Sequence, residues 1–366
     1  MHATHTTVSH PTASGRLAAL AGRHKYLWQG LLLTLAIATV SIEAGKLDIF
    51  QMHGISSLTL AIMVGIVVGN TVYSRMARAC EHGVGFSKQM LLRAGIVLYG
   101  FRLTFQDIGH VGLAGIVIDL LVLSSTFGLS VFLGTRLFGL ERDEAILIGA
   151  GSSICGAAAV MATAPVVRAR SEPIAIAVST VVVFGTAAIF VYPLLYQLNM
   201  HLHFLSSSPS IFGVYVGSSV HEVAQVVAAA RSISAGAADT AVITKMVRVM
   251  MLAPFLILLS FWWKGKQHHH GGHAGQATRL AIPWFAFAFI GVVAFNSLQW
   301  VQPAVLTHVN DVDTLMLSMA MAGLGLTTHI GAVRRVGIRP LLLAALLFGW
   351  LIAGGAVINR VVGSVL

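Results

Sequence analysis

Residues 151–160 read GSSICGAAAV, and residues 217–226 read GSSVHEVAQV. Aligned, the two share the pattern G-S-S-[I/V]-x-x-x-A-x-V. Each lies inside an apolar run, Ala145–Val166 and Ser210–Arg231, and the first run stops at Pro165. Gly-Ser-Ser interrupts a helix, because Gly adds backbone entropy and Ser hydroxyls compete for backbone hydrogen bonds. The sequence therefore predicts two helices broken in the middle of apolar surroundings.

Those surroundings are lipid. Of the 366 residues, 56% are hydrophobic and 10% are charged, with a mean hydropathy of +0.83. A soluble protein carries about 25% charged residues. The composition excludes a soluble enzyme, a disordered regulator, a disulfide-stapled secreted domain and a coiled coil. Cys80 and Cys155 are far apart and in no CxxC, so no disulfide or zinc framework is expected. The formal charge is +10. Its Lys and Arg residues sit in short loops between apolar runs, which marks one face of a membrane protein. No basic stripe with interleaved aromatics suggests nucleic acid.

A spanning helix needs about 20 mostly apolar residues. Nine regular candidates are Leu27–Ala44, Ser57–Tyr73, Val84–Gly100, Gly112–Phe138, Ile174–Leu198, Ala237–Trp263, Leu280–Leu298, Asp313–Thr328 and Leu341–Ile358. Residues 1–26 read as a retained cytoplasmic tail, and 27–360 as one membrane transport domain with a basic, His-rich cytoplasmic loop at 264–279. If both broken segments enter and leave on one side, sixteen of the 23 Lys and Arg fall on the tail's side. Only Lys46, Arg102, Arg231 and Arg360 fall opposite. If both span, the count rises to eleven helices and Arg168 and Arg170 change sides. The re-entrant version fits the positive-inside rule better and puts the N-terminus in the cytoplasm.

A second self-similarity pairs Leu103-Thr104, Ile108-Gly109 and Gly115-Ile116 with Leu326-Thr327, Ile330-Gly331 and Gly337-Ile338. In the re-entrant topology each pair of repeats has opposite orientations. Inverted repeats with interrupted helices mark secondary transporters. The two motifs come in different order in the two halves, so one simple duplication does not explain both.

The candidate site residues follow from the breaks. Ser152, Ser153, Ser218 and Ser219 stand where second half-helices would begin, and a half-helix N-terminus favours an anion. Ordinary caps or small-residue packing are the plainer alternative. Lys245 and Arg248 lie three apart on one face of an apolar helix, with Glu222 nearby in sequence. A charge at the bilayer centre costs about 2.5–3.5 kcal/mol. The excess of base suits an anionic substrate; a Glu222 bridge to Lys245 or Arg248 would instead only pin helices. Pro254 is expected to kink the same helix. Arg93 reads as a snorkelling residue and Asp119 as a residue near an outer helix end. His221 and Glu222 suit proton carriage or substrate hydrogen bonding, against a satisfied core histidine. His221-Glu222-x-x-Gln225 lacks the second imidazole of a zinc H-E-x-x-H motif. Cys155 has no activating neighbour in sequence and reads as a small packing residue. The run 266–273 reads as a polar loop rather than a metal site.

Several blocks resemble a known family. GSSICGAAA (151–159), GSSVHEVAQVVAA (217–229), KMVRVMMLAP (245–254) and LLRAGIVLYGFRLT (91–104) are similar to the signature blocks of the YeiH-type bacterial membrane proteins, also labelled sulfate exporters. The resemblance covers about residues 30–360. It implies a bacterial inner-membrane protein, all-α and polytopic. The implied fold is an inverted-repeat transporter like those of the cation–proton antiporter and anion transporter group, in which a core often moves against a scaffold and dimers are usual. The expected function is ion-coupled secondary transport, as an exporter, of a small anion such as sulfate, a sulfonate or a small organic acid. The coupling ion would be a proton or sodium, with no cofactor and no metal. A cation–proton antiporter using Glu222 or Asp119, and an intramembrane enzyme using His221, Glu222 or Cys155, are the alternatives.

Overall fold

The structure is a computed structural model and describes residues 13–52, 55–264, 284–328 and 336–365. The His-rich run 266–273 and part of the second self-similarity, Ile330-Gly331, lie outside the described residues. No strand occurs among the described residues.

Among the described residues sixteen α-helices follow in chain order: α1 (Ala13–Ala44), α2 (Asp48–Met52), α3 (Ser57–Thr71), α4 (Tyr73–Phe86), α5 (Leu92–Tyr99), α6 (Phe105–Arg136), α7 (Arg142–Ser153), α8 (Ala157–Val167), α9 (Ser171–Leu202), α10 (Pro209–Ser219), α11 (Val223–Arg231), α12 (Ala235–Met250), α13 (Leu252–Lys264), α14 (Trp284–Ser297), α15 (Pro303–Thr327) and α16 (Ile338–Val365). A π-helical turn, Ser87–Leu91, joins α4 to α5. Among the described residues five stretches are long and apolar enough to cross a membrane: Tyr26–Ala44, Val111–Arg136, Ser171–Leu202, Ala235–Trp263 and Ile338–Val365. Trp28, Leu32, Val40, Leu113, Phe132, Leu194 and Leu258 are among the many large apolar side chains left exposed, as expected where the outer surface meets lipid.

Both Gly-Ser-Ser segments break as the sequence predicts, and both fold back. The first forms α7 and α8. Glu141, which caps the start of α7, bonds Arg170, just past the end of α8, at 2.6 Å. The two mouths of this hairpin are therefore side by side. In the second, α10 packs parallel to α12: a Cβ on Gly213 would lie 2.5 Å from the Ala237 carbonyl, and one on Gly217 would lie 2.4 Å from the Ala241 carbonyl. Only glycine permits that approach. Because residues 232–234 alone join α11 to α12, the end of α11 lies beside the start of α10. Each arm has 9–12 residues, or about 14–18 Å, half of a hydrocarbon core of about 30 Å.

The hairpins come from opposite ends of α9. Its 32 residues span about 48 Å. The first hairpin opens beside Ser171 and the second beside Leu202. The end holding Arg136, Arg142, Arg168 and Arg170 is the basic face. Arg142 there stacks on Trp262 at 4.4 Å and on Trp263 at 5.6 Å, tying the mouth of the first hairpin to the end of α13. Near Pro254 the expected kink appears at Met251, between α12 and α13.

The second self-similarity pairs Gly115 with Gly337, but the bend in α6 falls three residues before Gly115 and so does not match it. Gly112, with φ +52°, bends α6 shortly after Leu103-Thr104. Gly337, with φ +81°, precedes α16 shortly after Leu326-Thr327.

Candidate functional site

The serines do not begin the second half-helices. They close the first ones: α7 ends at Ser153 and α10 at Ser219. This corrects the sequence expectation, and the reason is local. Ser218 Oγ donates to the Tyr215 carbonyl at 3.1 Å, and Ser219 Oγ donates to the same carbonyl. Such bonds hold a serine in the turn behind it. Asn359 of α16 donates to Ser218 Oγ at 3.1 Å. Ser152 and Ser153 are buried, and the Ser153 hydroxyl has no partner among the described residues. The second halves are started by Gly156 and Glu222, the N-caps of α8 and α11. Gly156 has φ +73° and ψ −137°, a region that essentially only glycine enters.

The tips of the two hairpins meet at Lys245. Its Nζ donates to the Ile154 carbonyl at 2.7 Å and to the Val220 carbonyl at 2.6 Å. Ile154 and Val220 are the C-caps of α7 and α10. Carbonyls at a helix C-terminus lack intrahelical partners and carry the negative end of the dipole. One fully buried ammonium thus serves both broken ends.

Glu222 does the converse. Its Oε1 accepts the Ala157 N–H, the first of α8, at 3.2 Å. It also forms a capping box with Gln225 at the start of α11, where Gln225 Oε1 accepts the Glu222 N–H at 3.1 Å. One carboxylate therefore sits at the positive ends of both second halves. Glu222 is half-buried and Ala158 is exposed, so this tip is reachable from outside the fold.

Arg248, one turn beyond Lys245, bonds Asp119 of α6 rather than Glu222; Nη2 lies 2.7 Å and Nε 2.9 Å from Asp119 Oδ1. Asp119 is fully buried, so the reading of it as a helix-end residue is corrected. Its signal in the sequence was its place in the middle of an apolar run, the same argument that singled out Arg248. The balance of charge changes with it: Asp119 and Glu222 face Lys245 and Arg248, two acids against two bases. His221 is buried, its Nδ1 has no partner among the described residues, and its ring lies 6.2 Å from Phe348. Cys155 is buried within the first break. Arg93 is exposed, as a snorkelling residue should be. Among the described residues no group of three metal-ligating side chains gathers.

A polar cluster that sequence reasoning missed lies at the far mouth of the second hairpin. Tyr99 donates to Asp239 Oδ1 at 2.8 Å, and Arg231 Nη2 lies 3.4 Å from the Tyr99 hydroxyl. Arg102 pairs with Asp313 at 3.0 Å. Arg231, Asp313, Tyr99, Ser56 and Thr314 line a cavity of about 110 Å³. Ser56 and Thr59 of the α3 region meet Ser232 beyond α11, with Thr59 Oγ1 3.0 Å from Ser232 Oγ.

These sequence blocks have close relatives. The family described as "Conserved hypothetical protein 698" matches residues 29–344. The UPF0324 membrane protein PA5383 of Pseudomonas aeruginosa is 62% identical over 331 residues, 90% of this chain and 93% of that protein. The UPF0324 inner membrane protein YeiH of Escherichia coli is 52% identical over 347 residues, 94% of this chain and 97% of that protein. Its counterpart of the same description in Salmonella typhi is 50% identical over 350 residues, 95% and 98% of the two chains. Since the agreement runs through both hairpins and the helix that carries Lys245 and Arg248, the chain belongs to the UPF0324 family of membrane proteins, the YeiH type.

Proposed function

We propose that the protein is an ion-coupled secondary transporter, an exporter of small anions such as sulfate, a sulfonate or a small organic acid, in the bacterial inner membrane. The supporting observation is the crossing of the two hairpins: half-helices from opposite faces meet near mid-depth, their C-terminal ends joined by Lys245 and their N-terminal ends by Glu222. Broken helices whose termini converge at the midplane suit an ion or an ionised substrate, since irregular backbone is tolerated in a bilayer only where protein or a cavity covers it. In this reading α1, α3, α4 with α5, α6, α9, α12 with α13, α14, α15 and α16 are nine spans, and the hairpins are re-entrant. The basic face is cytoplasmic, with the N-terminus. The helices α6 to α13 and α16 form a core; α1 to α5, α14 and α15 form a scaffold against which it moves. Lipid, the anion and a coupling proton or sodium ion are the partners, and a second copy of the chain is the expected oligomeric one.

The test is uptake of labelled sulfate and labelled methanesulfonate into proteoliposomes under an imposed pH or Na⁺ gradient. Wild-type protein should accumulate at least one of them. Folded protein that moves neither overturns the proposal. The neutral balance brought by Asp119 favours a second reading, a cation–proton antiporter. In that case Na⁺ added outside should release protons from the vesicles, with no anion moved.

A further inference from the structure

The Glu222 carboxylate is an odd cap. A helix N-cap serves its own helix, and Glu222 does so at α11. It also reaches 65 residues back along the chain to the first N–H of α8, on the other hairpin. Gly156 makes room for that reach: a Cβ there would lie 2.3 Å from Glu222 Cγ and 3.0 Å from its Oε1. The seat on α8 is thus shaped for a carboxylate that comes from elsewhere. It is also reachable, because Glu222 is half-buried and Ala158 exposed. A fully buried hydroxyl without a partner among the described residues, Ser153, ends the arm just before this turn.

The charges around the seat are few. Lys88, on the π-helical turn between α4 and α5, acts electrostatically on Glu222 from the scaffold. Lys245 acts on it from α12, and the buried Cys155 thiol in the first break carries no charge. Among the described residues Lys88 hydrogen-bonds only the Thr327 hydroxyl, at 3.5 Å. Lys245 is already committed to two carbonyls. An anionic visitor would meet one open helix N-terminus and the same cations that Glu222 meets.

We infer that Glu222 is a tethered stand-in for the transported anion: ionised, its carboxylate occupies the substrate's seat on the α8 N-terminus; protonated, it gives up that seat to a carboxylate, sulfonate or sulfate oxygen. This rests on the anion-transport reading and adds the substrate's chemistry and the origin of coupling. The seat holds either the carboxylate or the substrate's oxyanion. Each anionic group bound therefore brings one proton onto Glu222, and releasing the group lets the proton leave, so anion and proton travel the same way and export runs where the outward anion gradient exceeds the inward proton gradient. A doubly charged anion presents one of its oxyanion edges to the seat and travels with the same single proton.

The test uses full-length protein in proteoliposomes with labelled methanesulfonate, a strong acid that stays ionised and does not itself carry a proton. In wild type, one unit of inward pH gradient should change accumulation by about tenfold, the factor that one coupled proton supplies. Glu222→Gln keeps the shape and cannot titrate. Whatever exchange of methanesulfonate it retains, accumulation should move less than about twofold with the same gradient. Binding gives an independent readout. Methanesulfonate should raise the thermal midpoint of wild type more at pH 6 than at pH 8, and that of Glu222→Gln equally at both. A Glu222→Gln protein that keeps both the tenfold gradient response and the wild-type pH dependence of binding overturns the inference alone. Wild-type protein that neither binds nor moves methanesulfonate or sulfate overturns the transport reading beneath it.

Discussion

Arg248 and Asp119 meet with charged atoms 2.7 Å apart and neither side chain exposed. They join α12 to α6, the helix that carries both hairpin contacts to the one that packs on α7. A buried pair contributes little over an apolar pair of the same shape, but breaking it leaves a charge without a partner, at a cost of about 3–5 kcal/mol. Asp119→Ala and Arg248→Ala should each lower the thermal midpoint of detergent-purified protein markedly. Asp119→Leu combined with Arg248→Met should recover part of that loss. Equal midpoints for the single and the double variants would show that the pair is not the unit of stability described.

Lys245 makes a different prediction, because it holds backbone rather than a charge. Lys245→Met leaves the Ile154 and Val220 carbonyls unpaired in a buried setting. Each orphaned carbonyl costs about 1–3 kcal/mol. The expected result is a lower midpoint together with new access at the tips, read as faster modification of Cys155 by a membrane-permeant maleimide. Cys155 is buried in the wild-type break, so slow labelling of both proteins would mean that the tips stay closed without the ammonium.

How far the sequence carried this structure depends on what each residue had to report. Gly-Ser-Ser announced both breaks to within a residue or two, because backbone entropy and hydroxyl competition act locally. Which half each serine joins was not local: it depended on Gly156 and Glu222 taking the N-cap positions, and the serines fell to the arm behind. The pairing of Arg248 was misplaced for a similar reason. Glu222 is 26 positions away in sequence, and Asp119 is 129; only packing brings the second one close. The span ending at Thr327 was drawn too short, from Asp313, since Asp311 and Asp313 break the apolar window. The helix starts at Pro303, and Arg102 from α5's end neutralises Asp313. The Tyr99–Asp239 contact left no sequence signal, because both residues sit at span ends where polar side chains are ordinary.

Gly156 should be among the least replaceable residues of the first hairpin. Its φ of +73° and ψ of −137° strain any L side chain by about 1–3 kcal/mol. A Cβ would also push directly on Glu222. Gly156→Ala should lower both the thermal midpoint and anion uptake. Gly109→Ala is the control, since nothing lies within 4 Å of a Cβ placed there and the residue is helical. A Gly156→Ala protein as stable and as active as the Gly109→Ala protein would remove the role assigned to this turn.

The contacts between Ser56 and Ser232 bear on movement. They lie where the α3 region meets the end of α11, so in the proposed transport cycle they must part. Their hydroxyls are 3.4 Å apart. Ser56→Cys with Ser232→Cys places two thiols there, and a small shift brings the sulfurs to the bonding distance of about 2.05 Å. Cys80 and Cys155 are both buried and should not compete under mild oxidation. Oxidation by copper phenanthroline should stop anion uptake, and a reducing agent should restore it, while either single cysteine variant should be indifferent to both. A cross-linked protein that transports at the full rate would mean that this contact stays shut throughout the cycle, and that any motion of the core takes place elsewhere.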